Sequence, residues 1–116
     1  MTLKEISPCI HLDYIGAVAR FGGMESLVVK FLKKFPEDPI FGELAKAVEN
    51  KDYKEIERTA HALKGMTGNL GLSDLFEINQ KIVNEVRSGH YEQIPEYFQK
   101  DQEIYDNVIQ YLKKLD

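Results

Sequence analysis

The residues of this chain that are best suited to chemistry lie in one short stretch, "AHALKGMTGNLGL", at positions 60–72. It contains His61, followed by Lys64 three residues later and by Gly65 and Gly68 at four and seven residues. A neutral imidazole keeps one ring nitrogen free, so it can act as a nucleophile toward phosphorus. A nearby ammonium group can neutralise the phosphoryl group that results. The stretch therefore suggests a histidine that carries a phosphoryl group.

Helical periodicity places His61 on the solvent side of the element that carries it. At about 100° per residue, Lys64, Gly65 and Gly68 fall within roughly 60° of His61. The opposite face carries Ile56, Thr59, Leu63, Met66 and Leu70. A glycine inside a helix costs about 1 kcal/mol relative to alanine. Two of them beside an exposed histidine indicate that a large surface, such as another protein, must approach the backbone.

Two other chemistries do not fit this stretch. A P-loop needs a lysine after its last glycine and a preceding strand, but here Lys64 precedes Gly65 in a helical segment. A metal site needs closely spaced ligands. The three histidines, His11, His61 and His90, are far apart, and no Cys/His pair has ligand spacing. We therefore expect no metal site in this chain.

Two further alternatives remain open from the residues alone. An enzyme could use His61 as a general base, which requires a pocket and a carboxylate partner. Glu57, four residues earlier, is the obvious candidate for that partner. A plain helical scaffold would need neither residue, but it leaves both helix-interior glycines unexplained.

The whole sequence predicts helices separated by short breaks, because apolar residues recur at i, i+3 and i+4 and do not alternate. The predicted helices span about 12–21, 24–34, 39–50 and 53–70, then from a cap at Ser73 or Asp74 to about 87, and finally 91–115. Short connections make successive helices antiparallel. We therefore expect an all-α fold, an antiparallel up-down four-helix bundle with additional short N-terminal helices. The last four helices should form the bundle, and the first two should pack across one end.

Local signals mark the ends of these helices. Asp52 and Glu55 form a capping-box pattern at the start of the fourth helix, and Gly71 is the predicted terminator. Ser73 or Asp74 is expected to cap the fifth helix. The second helix is predicted to bury the stripe Leu27, Val28, Phe31 and Leu32.

The bulk composition limits the class of protein. A length of 116 residues suggests one domain, 1–116, and the net charge of −4 argues against a nucleic-acid partner. The single cysteine, Cys9, excludes an intrachain disulfide and fits a reducing compartment. There is no signal-peptide core and no apolar run of membrane-spanning length. We expect a cytoplasmic monomer without a membrane partner.

The same stretch resembles the signature of histidine-containing phosphotransfer (HPt) domains, the modules of multistep two-component phosphorelays. The signature has the form A-H-x-L-K-G-x-x-x-N-L-G, and every fixed position is present in residues 60–71. The segments "FGGMESLVVKFLKKFPED" and "ELAKAVENKDYKEIERTAH" resemble the second helix of that family and the run into its histidine. The resemblance covers nearly the whole chain.

The resemblance implies a role for each residue of the stretch. His61 would be the phosphoacceptor, Lys64 would stabilise the phosphoryl group, Gly65 would clear space beside it and Gly68 would extend that strip. The partners would be response-regulator receiver domains, including that of a hybrid sensor histidine kinase, which exchange the phosphoryl group through an aspartate. Mg²⁺ would belong to the receiver, so this chain would need no cofactor and would be a carrier rather than an enzyme. The alternative is a helical module that docks receivers without phosphotransfer.

One position departs from the family pattern. Many members carry Gln or Glu twenty-two residues after the histidine, where it can orient the imidazole, but this chain has Val83 there. The expected substitutes are Asn79, one turn earlier, and Gln80, three residues earlier. Ile15 of the first helix is a candidate for an exposed apolar part of the docking face.

Overall fold

A computed structural model describes residues 1–116 and contains seven α-helices and no strand. The helices are α1 (Leu3–Ile6), α2 (Tyr14–Arg20), α3 (Glu25–Lys34), α4 (Ile40–Glu49), α5 (Tyr53–Leu70), α6 (Ser73–Arg87) and α7 (Ile94–Leu112). Short 3-10 turns at Ser7–Cys9 and Phe35–Glu37 follow α1 and α3. None of the helices combines the length and the apolar composition needed to cross a membrane.

The four C-terminal helices form an antiparallel bundle. Each packs against the next along the chain, and α4 also packs against α7, which closes the ring of four. Their inward faces supply the fully buried side chains Leu44, Ile56, Leu63, Leu75, Ile82 and Ile94. The predicted all-α up-down bundle is confirmed. In this arrangement α5 has α4 on one flank and α6 on the other, while α7 lies diagonally across.

Helix α5, which carries His61, has the predicted bounds. At its start the Asp52 carboxylate accepts the Glu55 N–H at 3.2 Å. The Glu55 carboxylate bonds Arg58 rather than returning to Asp52, so only half of the predicted capping box forms. At its end Gly71 takes the left-handed conformation with φ +75°, which is the backbone geometry that favours glycine after a helix.

The prediction that Ser73 or Asp74 caps α6 is wrong. Leu72 occupies the cap position, and Ser73 and Asp74 are the first two residues of the helix. Leu72 is held there because it is buried and its backbone forms an isolated antiparallel bridge with Leu12. The chain therefore passes from α5 to α6 without a polar capping residue.

The N-terminal helices pack across one end of the bundle, as expected. Helix α2 contacts α3 and α5, and the Asp13 N–H donates to the Gly71 carbonyl at 2.8 Å. Helix α1, which the sequence pattern did not predict, begins at a capping box between Thr2 and Glu5 and buries Leu3 and Ile6. This segment brings the two chain ends together.

The contact between the chain ends is made by backbone groups and by an ion pair between the Met1 amino group and the Asp116 carboxylate at 3.0 Å. The Met1 amino group donates to the Lys114 carbonyl at 2.6 Å. In return the Asp116 N–H donates to the Met1 carbonyl at 2.8 Å. The first and the last residues of the chain are therefore adjacent in space.

One predicted core residue lies at the surface. Val28 and Leu32 of α3 are fully buried, but Phe31 is 41% exposed. Its ring instead lies 5.4 Å from the ring of Phe21. Because α3 packs at the periphery of the bundle, its apolar stripe is wider than the surface it can cover.

Candidate functional site

His61 lies half way along α5 and is exposed, as the helical wheel predicted. Its neighbours Ala60 and Leu63 are completely buried and fix the orientation of the helix. The imidazole takes part in no hydrogen bond or ion pair within the chain. Both ring nitrogens are therefore open to a group that approaches from solvent.

Lys64 lies one turn further along the same face. Residues three apart on a helix are neighbours, with Cβ atoms about 5–6 Å apart. The Lys64 ammonium forms no ion pair, and its Nζ lies 5.9 Å from the centre of the Phe76 ring of α6. A cation without a carboxylate partner remains available to an anion near His61.

Two arginines near His61 are paired with carboxylates. Arg87 of α6 donates through Nε to Glu57 at 3.0 Å. Arg58 donates to Glu43 at 2.9 Å and also to Glu55. The Glu57 carboxylate is thus bound to Arg87 and makes no hydrogen bond to His61, so a general base with Glu57 as its partner has no support in the geometry.

Gly65 and Gly68 have different surroundings. A Cβ atom at Gly65 would meet nothing within 4 Å, so the backbone there is bare and open to solvent. A Cβ atom at Gly68 would lie 3.1 Å from the Phe76 ring. Gly68 therefore does not extend the open strip, because the group that closely approaches it is an aromatic ring of the same chain.

The register between α5 and α6 explains the contacts of these residues. Gly68 faces Phe76, and Glu57 faces Arg87. In an antiparallel pair each step back along α5 matches a step forward along α6, so Val83 lies opposite His61 and Gln80 opposite Lys64. Val83 is completely buried. The position that carries Gln or Glu in many HPt domains thus presents no polar group to the imidazole.

Asn79 does not orient the imidazole, contrary to the expectation from the sequence. Its side chain is fully buried and donates to the Leu75 carbonyl at 2.9 Å and to Asp101 Oδ1 of α7 at 3.1 Å. Two oxygens of this pair, Asn79 Oδ1 and Asp101 Oδ2, have no hydrogen-bond partner. Burial raises the pKa of Asp101 to about 7, although the hydrogen bond from Asn79 acts in the opposite direction. Gln80 is half-buried and forms no hydrogen bond to His61.

Sequence reasoning missed Phe76 and the pair Asn79–Asp101, although each had a signal. Gly68 and Phe76 are equally distant from Leu72, the centre of the α5–α6 connection, and such residues face each other in a helical hairpin. Asn79 follows Leu75 by four residues and therefore lies in the apolar stripe of α6. A polar residue at such a position needs a partner inside the bundle.

An apolar groove borders the site on the side away from α6. Its volume is about 420 Å³, and it is lined by Phe21, Phe31, Lys34, Phe35, Asp38, Met66, Asn69 and Leu70. Met66 directly follows the bare Gly65. Two exposed apolar side chains lie on the neighbouring N-terminal elements, Ile15 at 82% and Met24 at 54%. Helix α5 therefore contributes Met66, Asn69 and Leu70 to the groove, while Gly65 and His61 lie outside its lining.

No group of three or more His, Cys, Asp or Glu side chains could hold a metal ion. His11 is remote from His61 in sequence, and its Nδ1 lies 2.6 Å from Asp74 Oδ2. This pair joins the N-terminal segment to the start of α6.

Comparison with known proteins gives one match. A family model described as "Hpt domain" matches residues 26–114, a span that includes α5 and α6 with His61, Lys64, Gly65 and Gly68. No curated protein and no solved structure matches the chain.

Proposed function

Since the chain belongs to the Hpt domain family, whose members carry phosphoryl groups on a histidine in phosphorelays, we propose that its phosphoacceptor is His61. The protein would accept a phosphoryl group from the aspartate of one receiver domain and donate it to another. The observation that carries this proposal is an exposed imidazole without a protein partner, next to a lysine without an ion pair and a glycine with bare surroundings.

The proposed transfer step uses no reacting group of this chain other than the imidazole. The free electron pair of one ring nitrogen attacks the phosphorus of the aspartyl phosphate. A nitrogen–phosphorus bond forms as the bond from phosphorus to the aspartyl oxygen breaks, and the carboxylate leaves with that electron pair. The other ring nitrogen keeps its proton. The reverse step returns the phosphoryl group to a second receiver.

Lys64 and Gly65 have distinct roles in this proposal. The Lys64 ammonium forms charge-assisted hydrogen bonds to the phosphoryl oxygens, which stabilises the phosphohistidine. Gly65 lets the receiver approach the helix backbone beside the imidazole, because it has no side chain to displace. Mg²⁺ would be held by the receiver, and no cofactor of this chain enters the step.

Docking would also use apolar contacts. The exposed side chains of Ile15, Met24 and Phe31 offer apolar contact area on the N-terminal elements. Such contacts would position the aspartyl phosphate over His61. We also propose that residues 1–116 act as one monomeric domain in the cytoplasm. A hybrid sensor kinase would supply one of the receivers.

The experiment mixes the protein with receiver domains that carry a radioactive phosphoryl group. We expect an acid-labile, alkali-stable label on the protein, which the variant His61→Gln lacks. His90→Gln is the matched control, because His90 is also exposed but lies on the connection between α6 and α7. Binding without label would support the receiver-docking module. Neither binding nor label across the receivers of the organism would overturn both functions.

A further inference from the structure

The Phe76 ring reaches the surface of α5 because the residue opposite is a glycine. A Cβ atom at Gly68 would lie 3.1 Å from Cδ2 and 3.4 Å from Cε2 of that ring. A methyl group at 68 would require the ring to shift by a few tenths of an ångström, and a larger side chain would displace it further. Gly68 weakens the helix, but it leaves the space on α5 into which the Phe76 ring packs.

This space lies on the far side of Lys64 from His61. Along α5, His61 is three residues before Lys64 and Gly68 is four residues after it, which is about one turn in either direction. The flexible lysine side chain can extend toward either end. With its Nζ 5.9 Å from the ring centre, the ammonium is drawn to the Gly68 end.

A cation over an aromatic ring is held without being neutralised. The attraction comes from the ring quadrupole, so the N–H donors of the ammonium gain no carboxylate partner. The carboxylates Glu43, Glu55 and Glu57 around the site are bound to arginines instead. The Phe76 ring thus holds the charged Lys64 ammonium about one helical turn from His61.

We propose that Phe76 holds the Lys64 ammonium away from His61 in the unphosphorylated protein and releases it to the phosphoryl group once His61 is phosphorylated. The inference rests on the proposed phosphotransfer. Charge-assisted hydrogen bonds to phosphate are stronger than an exposed cation–π contact, so the ammonium moves when the phosphoryl group arrives. Phe76 is a positioning residue, since it acts only through Lys64.

The release has a consequence for the relay. The free energy that Lys64 contributes to the phosphohistidine is reduced by the free energy of the Lys64–Phe76 contact that must break. The phosphohistidine is therefore a better donor than it would be beside an unrestrained lysine. Phe76 tunes the balance between accepting and donating.

The first test needs neither a receiver nor a variant that must fold. Protons above an aromatic ring shift upfield in NMR, so we expect upfield signals for the Lys64 ε-methylene group in the unphosphorylated protein. After phosphorylation of His61 these signals should move to ordinary positions. Phosphoramidate, which phosphorylates imidazoles directly, supplies the phosphoryl group if no receiver does. Thus failure of the receiver experiment and failure of this inference give different results.

The second test measures the transfer equilibrium with a receiver. Phe76→Leu, which removes the π-face, should shift the equilibrium about two- to five-fold toward phosphorylated His61, the range expected for an exposed cation–π contact. Phe76→Tyr keeps the ring and should behave like the parent protein. In a Lys64→Gln background, Phe76→Leu should have no further effect.

Three outcomes would overturn the inference. The ε-methylene signals of Lys64 could lack an upfield shift in the unphosphorylated protein, or keep it after phosphorylation. Alternatively, the effect of Phe76→Leu could persist without Lys64, which would indicate a purely structural role for the ring.

Discussion

Two exposed histidines differ in what holds their rings. His11 Nδ1 lies 2.6 Å from Asp74 Oδ2, whereas the exposed His61 has no hydrogen-bond partner in the chain. A hydrogen bond at one ring nitrogen determines which tautomer a neutral imidazole adopts. His61 is therefore free to present either nitrogen to an incoming phosphorus atom.

This difference can be measured by the ¹⁵N chemical shifts of the neutral rings. We expect His61 to populate both tautomers and His11 to carry its proton on Nδ1, where the carboxylate accepts it. His11 serves as the internal control, and Asp74→Ala should abolish its preference. A single tautomer at His61 would show that some group orients the imidazole after all.

At the scale of single residues, the sequence predicted positions on one helix better than contacts between helices. The wheel placed His61 and Gly65 on the exposed face because that placement depends only on the helical repeat. The surroundings of Gly68 and Asn79 depend on which residue of α6 or α7 lies opposite. Their expected roles, an open strip and a partner for the imidazole, therefore did not hold.

At the scale of elements, two left-handed glycines end helices in different surroundings. Gly71 after α5 has φ +75°, and Gly89 after α6 has φ +73°. A Cβ atom at Gly71 would lie 2.9 Å from the Asp13 carbonyl oxygen and 3.1 Å from the Ala17 side chain, whereas one at Gly89 would meet nothing within 4 Å. A substitution at Gly89 therefore introduces backbone strain alone, whereas one at Gly71 introduces backbone strain and a steric clash.

We expect Gly89→Ala to lower the free energy of unfolding by about 1 kcal/mol, the cost of the left-handed conformation alone. Gly71→Ala should cost about 3 kcal/mol or more, because α2 must also move away from the new methyl group. Urea unfolding of both variants measures the difference. Equal losses would contradict the close docking of α2 on the end of α5.

The ends of the elements were predictable where a local signal marks them. Asp52 and Gly71 are such signals, and α5 begins and ends where they indicate. Helix α1 is only four residues long, too short to show a repeat, and it is stabilised by burial of Leu3 and Ile6 against the rest of the chain. Leu72 replaced the expected polar cap because of its pairing with Leu12, a contact between distant residues.

At the scale of the whole molecule, the stability of the bundle should depend on the charge of one buried residue. Asp101 is completely buried, and its pKa is raised from 3.8 to about 7 by loss of solvent. When Oδ2 is protonated it can donate to an acceptor, and the unpaired Asn79 Oδ1 belongs to the amide that already bonds Asp101. The protonated acid therefore suits the bundle interior.

The sign of the pH dependence follows from this shift. Between about pH 4 and pH 7 the folded protein binds the proton more tightly than the unfolded chain. The contribution of Asp101 to stability is therefore fully present below about pH 4 and is lost as the pH rises to about 7. The loss is on the order of 4 kcal/mol.

Denaturant unfolding at several pH values tests this dependence. Asp101→Asn, which keeps the shape of the side chain without its charge, should remove the fall in stability and exceed the parent protein at pH 8. Asp106→Asn is the control, since Asp106 is an exposed aspartate of the same helix. A fall that persists in Asp101→Asn would assign it to another group.

The meeting of the chain ends means that the path of the backbone is nearly a closed circuit. The Asp116 N–H donates to the Met1 carbonyl at 2.8 Å, so a short covalent linker could join the ends without disturbing a helix. Such a cyclic chain could then be opened at the exposed residues 88–90 between α6 and α7. The order in which the helices are synthesised would change, while the surface around His61 would not.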